Sequence, residues 1–167
     1  NGRLCGCGRT GCLETYCSAT GVARSAREFL EIRTEPSLLR NIPVEEITSK
    51  DVYDAAVQGD QIAKDIFTYT GTLLGEAMAD MMVFSSPEAF ILFGGLAKSG
   101  DMLMRPLKEA MDKNMLSMFK GKPKSYSASS RKQTPQCSAQ ARLAGRPNPS
   151  LQPPLPYSSQ KTRFGRA

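Results

Sequence analysis

Between residues 60 and 84 apolar side chains recur at three- and four-residue steps: Ile62, Ile66, Phe67, Leu73, Leu74, Ala77, Met78, Met81 and Met82. That spacing lines one face of an α-helix, so it predicts a long helix from Asp60 to about Phe84, its methionines serving as adaptable core. Upstream, Val22, Ala23, Ala26, Phe29 and Leu30 share one side of a helix that Ser18 is placed to cap. Cys12 to Cys17 reads as a short helix with Glu14 near its N-terminus, where backbone N–H groups favour a carboxylate. Glu31 to Pro43 is polar and interrupted by Pro36 and Pro43, which predicts a surface excursion. Thr48 or Ser49 then starts a helix through Val57 that ends at Gly59.

Ser85-Ser86-Pro87 stops the long helix, and the pattern changes to a continuous apolar run, Ala89 to Phe93, suited to a buried strand. The run leads into Gly94-Gly95, and an amphipathic helix follows from Asp101 to Leu116. That helix carries Leu103, Leu107, Ala110, Met111 and Leu116, with Pro106 expected in its first turn. A strand running into glycines and then a helix is how α/β folds bring backbone N–H groups to a ligand, although a tight turn explains a glycine pair equally well. Gly71 and Gly75, four apart in the long helix, fit close helix packing or room for a nucleotide, packing being the simpler reading.

Charge divides the chain. Seven of the 22 Lys and Arg fall after Lys124 and none of the 16 Asp and Glu do, so residues 1–124 are close to neutral and the basic excess belongs to residues 125–167. That proline-rich stretch has neither helical nor strand periodicity, which predicts disorder and admits a nucleic-acid or membrane-surface arm. No run is long and apolar enough for a membrane span, and no secretory leader pattern is present.

The chemistry concentrates in Cys5-Gly6-Cys7-Gly8-Arg9-Thr10-Gly11-Cys12-Leu13-Glu14. Three thiols spaced C-x-C-x4-C in a glycine-rich loop suit one tetrahedral zinc ion. Disulfides or three unrelated cysteines are the alternative, but Cys5 and Cys7 are too close in sequence to pair easily. Thiols in a metal pattern fit a reducing cytoplasm.

The run Gly2-Arg3-Leu4-Cys5-Gly6-Cys7-Gly8 followed by Gly11-Cys12-Leu13-Glu14 resembles the signature of the ROK family, which contains bacterial sugar kinases, chiefly glucokinases, and related transcriptional repressors. The likeness extends more weakly to about Lys124. It implies an α/β, helix-rich partial C-terminal lobe of an actin-like (ribonuclease H-like) sugar-kinase fold over residues 1–124. It further implies a structural zinc held by Cys5, Cys7 and Cys12, a sugar contact from Glu14, and adenosine of ATP lying against Gly94 and Gly95. The implied activity is transfer of the ATP γ-phosphoryl, with Mg²⁺, to the 6-hydroxyl of glucose by a cytoplasmic homodimer that engages no nucleic acid or membrane. Glucose, mannose, fructose and N-acetylmannosamine kinases share the loop. A sugar-responsive repressor of the same family, or a free-standing zinc module with a nucleic-acid-binding tail, are the competing readings.

Because the sequence opens inside this pattern, the resemblance implies a fragment. The family's phosphate loop, general-base aspartate and Glu-x-x-His segment would all precede it. There is no histidine in the chain, so the family's fourth zinc ligand is missing, and Cys17 or water would take its place. The same resemblance calls for a strand and a closing helix after Lys124. Codons exist for Ser125 to Arg146 that, read two bases later, give L-F-S-E-L-K-E-A-D-A-A-V-L-G-A-S-A-L-G-W-E, which is that ending. Residues 125–167 are therefore expected to be out of frame, one base having been lost near the codon for Ser125.

Overall fold

The structure, a computed structural model, describes residues 2–120 and the backbone of residues 124–127. Apart from the backbone of residues 125–127, the expectations about residues 125–167 lie outside the described residues.

Local sequence signals set most boundaries. Helix α1 is the single turn Glu14–Cys17, and α2 spans Ala19–Ile32. Ser18 caps α2, its hydroxyl accepting from the Gly21 N–H at 3.0 Å. Helix α3, Ser49–Val57, begins at Thr48 in a reciprocal capping box with Asp51. Helix α4 runs from Gln61 to Ser85 and ends at Ser86 in the left-handed region, φ 45°. Strand β1 is Ala89–Leu92, α5 is Asp101–Asn114, and β2 is Lys124–Ser127. The two strands pair in parallel, Ala89 opposite Lys124, with α5 as the crossover. Thus β2 straddles the junction at residue 125.

Two apolar clusters flank α4. Its first half packs with α2 and α3 around Val22, Ala26, Val52, Ile62, Ile66 and Phe67, together with Leu103 of α5. Its second half packs on α5 through Met78, Met82, Leu107 and Met111, with Phe90 and Leu92 of β1 against them. Gly71 and Gly75 are the notch between the two helices. A Cβ on Gly71 would lie 2.7 Å from Pro106 Cγ, and one on Gly75 would lie 2.3 Å from the Leu107 carbonyl oxygen. Close packing, not space for a nucleotide, explains this pair.

Several expectations need correction. The 31–43 connection is not simply a surface excursion: a 3-10 turn at Leu38–Asn41 buries Leu39 completely. Asp60 holds that turn while capping α4, its carboxylate accepting from the Ser37 hydroxyl (2.7 Å) and the N–H groups of Leu38 (2.6 Å) and Ala63 (3.0 Å). Burial would raise the Asp60 pKa, but these donors outweigh it and hold it below the ordinary carboxylate value. Met81, Ile91, Phe93 and Leu116 are exposed instead of buried. Among the described residues β1 is covered on one face only, so alternate side chains point outward. Pro106 sits in the second turn of α5, not the first, its ring filling the space that Gly71 leaves open.

Candidate metal centre and its anchorage

The cysteine loop is a small closed structure. Leu4 and Thr10 form an antiparallel bridge. The Cys5 N–H donates to the Arg9 carbonyl (2.8 Å), the Gly8 N–H to Cys5 (3.0 Å) and the Gly11 N–H to Arg3 (2.9 Å). Gly8 and Gly11 take φ of 83° and 76°, which side-chain-bearing residues rarely adopt. The result brings together the Sγ atoms of Cys5, Cys7 and Cys12, all within 4.8 Å of one another. Cys7 Sγ and Cys12 Sγ are 3.6 Å apart. Two sulfurs on a tetrahedral zinc at about 2.3 Å each stand about 3.8 Å apart, so the donor set fits that ion.

Cys17 does not join them. Its thiol turns to α4 and donates to the Thr70 carbonyl at 3.6 Å, and burial, partly offset by the charge of Arg3, pushes its pKa up to about 11. The idea that Cys17 replaces a missing ligand is therefore overturned: its place in α1 directs it inward. Among the described residues no further Cys, Asp or Glu completes the cluster.

The three sulfurs are unequal. The Arg9 backbone N–H first, and then the Cys5 and Cys12 thiols, stabilise a thiolate at Cys7 and hold its pKa below the ordinary value. Cys12 is pushed up to about 11, chiefly by its bonds to Cys7 and then Cys5. Cys5 is buried, and its thiol donates to Glu14 Oε2 at 3.6 Å. Glu14 itself is exposed at the start of α1, so its carboxylate faces solvent beside the cluster while accepting from Cys5.

Arg3 is the residue that pattern-reading missed. Only 7% exposed, it threads its guanidinium between loop and helices. Its N–H groups donate to the Thr15 carbonyl (2.8 Å), the Gly21 carbonyl (3.4 Å), Ser25 Oγ (2.9 Å) and Glu28 Oε2, and its plane lies 4.4 Å from the Tyr16 ring centre. Arg24, bonded to the other Glu28 oxygen at 3.1 Å, holds the Leu4 carbonyl at 3.3 Å. A lone arginine in a glycine-rich loop carries no periodic signal that would reveal this. Arg3→Ala is expected to cost about 3 kcal/mol, the low end for breaking a buried pair because Glu28 stays partly in water. Denaturant unfolding would measure it, and Arg3→Lys should restore less than half, lacking the fork.

Gly94 and Gly95 belong to a different place, the connection from β1 to α5. Gly94 takes φ 104°, and a Cβ on either glycine would meet nothing within 4 Å. A 3-10 turn at Leu96–Ser99 follows, and the first turn of α5 has no side-chain cap.

The model of the ROK family matches residues 1–144. The chain belongs to the ROK family. It is 38% identical over 109 residues to the glucokinase of Halalkalibacterium halodurans, covering 65% of this chain and 33% of that one. Against the Thermotoga maritima glucokinase it is 34% identical over 123 residues, 72% and 38% of the two chains. The Escherichia coli repressor Mlc is 28% identical over 118 residues, 71% of this chain and 28% of Mlc. Among solved structures, a Streptomyces griseus ROK glucokinase in complex with glucose and AMPPNP superposes with a TM-score of 0.67 at 29% identity, over 74% of this chain and 41% of that one. The ROK chain thus spans about a third to two fifths of the glucokinases it matches, and its fold is a part of the actin-like ROK sugar-kinase fold. Within the described residues no helix is long and apolar enough to cross a membrane.

Proposed function

We propose that this chain is C-terminal-lobe sequence of an ATP-dependent hexose kinase that moves the γ-phosphoryl of ATP, with Mg²⁺, to the 6-hydroxyl of glucose. The observation that carries the kinase reading over a sugar-responsive repressor is the identity gradient: 32–38% to four glucokinases against 24–28% to the repressors, over stretches of similar length. In this reading Cys5, Cys7 and Cys12 hold a structural zinc, which fixes the loop and does no chemistry on substrate. Glu14, exposed beside that loop, accepts hydrogen bonds from sugar hydroxyls. The open backbone at Gly94 and Gly95 receives adenosine. The working protein is a cytoplasmic homodimer that acts on small molecules.

Phosphoryl transfer needs a base on the hydroxyl and a clamp on the phosphates. The family pattern places neither in these residues, so the 167-residue chain alone is expected to phosphorylate no sugar. We also propose that the reading frame shifts near Ser125, which resequencing the DNA across that codon decides. The DNA upstream of the first codon separates the readings: a phosphate loop and a base aspartate support the kinase, a helix-turn-helix the repressor. In the kinase translated from the whole gene, Glu14→Gln is expected to lower kcat/KM for glucose about 10- to 100-fold, the worth of a charged hydrogen bond, while KM for ATP holds. An unchanged kcat/KM for glucose would remove Glu14 from the sugar site.

A further inference from the structure

The three thiols of the metal loop are not equally accessible. Cys5 is buried and bonded to Glu14, whereas Cys7 is exposed and Cys12 is half-buried. Cys7 and Cys12 bracket Gly8 and Gly11, whose surroundings are open: a Cβ on either would meet nothing within 4 Å. The two sulfurs, 3.6 Å apart, need to close by only about 1.5 Å to reach disulfide length. The contacts that dock the loop, through Arg3 and Arg24, involve neither residue.

We propose that Cys7 and Cys12 form a peroxide-responsive disulfide that opens the metal site, a redox switch that rests on the zinc reading of the loop. The Cys7 thiolate attacks hydrogen peroxide, breaking its O–O bond and expelling hydroxide, and becomes a sulfenic acid. The Cys12 sulfur then attacks that sulfur, giving up its proton as the second hydroxide is displaced, and the S–S bond forms. Two electrons pass from the sulfurs to the peroxide, and the two hydroxides take up protons to become water. With two of three sulfurs consumed, Cys5 alone cannot hold the ion. The loop nevertheless stays docked by its arginines, so the change is local and a dithiol reverses it.

The test uses the full 167-residue chain, purified reduced and loaded with zinc, then exposed to hydrogen peroxide. A metallochromic dye should report one zinc released per disulfide, and peptide mapping after alkylation should find Cys7 joined to Cys12 with Cys5, Cys17 and Cys137 alkylated. Dithiothreitol should restore both thiols and zinc uptake. In Cys12→Ser, peroxide should instead carry Cys7 to a sulfinic acid that dithiothreitol does not reverse. A disulfide involving Cys5, Cys17 or Cys137, or zinc retained after Cys7 and Cys12 have joined, would overturn the proposal. Should the reduced chain bind no zinc at all, the metal reading fails at that step, and the switch with it. Mapping the pair in the same zinc-free sample then shows only whether the thiol chemistry survives.

Discussion

Replacing Cys5 by serine is expected to abolish stoichiometric zinc binding. Serine is not deprotonated at neutral pH and offers a poorer donor, so a three-sulfur set becomes a two-sulfur set held by an exposed and a half-buried residue. We expect affinity to fall by at least about 1,000-fold, or about 4 kcal/mol. Cys5 also bonds Glu14 and is the buried member of the three, so this variant should disturb the loop more than Cys7→Ser does. Metal analysis after competition with a graded series of chelators measures it. Equal zinc retention by wild type and Cys5→Ser would show that the cluster is not the metal centre.

The second large effect is expected at Gly75. An alanine there gains about 1 kcal/mol of helix propensity. Its Cβ, however, would stand 2.3 Å from the Leu107 carbonyl oxygen and 2.9 Å from both the Ala110 Cβ and the Met111 nitrogen. Two of those three atoms are backbone, so relief requires α5 to move away from α4 and opens the cluster of Met78, Met82, Leu107 and Met111. Overpacking of that kind costs about 3 kcal/mol, leaving a net loss of about 2 kcal/mol and a fall in melting temperature of roughly 6–8 °C. Gly95→Ala, with nothing within 4 Å, is the matched control and should leave melting nearly unchanged. If Gly75→Ala melted with the control, the α4–α5 approach would be looser than described.

Much of the fold was legible in the residues because its signals are local. Ser18, Thr48 and Asp60 sit at helix starts, each with an oxygen three residues before an otherwise unpaired N–H. The cysteine spacing with its glycines foretold a loop that converges three sulfurs, and the short helix expected from Cys12 to Cys17 is found at Glu14–Cys17. The roles proposed for Glu14, Gly94 and Gly95 rest on the family likeness alone, since no pattern of polarity contains them.

What the sequence left open depends on contacts between distant residues. Leu39 looks like loop until Asp60, 21 positions on, pins its turn over the core. Arg3 looks like a solvent-facing charge until Thr15, Ser25 and Glu28 surround it. Cys17 has the composition of a fourth ligand and the position of a helix residue facing α4. Chain-local physics decides where elements start and which thiols share a loop, because capping and turn geometry involve only a few neighbours. Tertiary packing decides which apolar side chains meet a partner and which charges are buried, because those depend on groups that sequence separation hides.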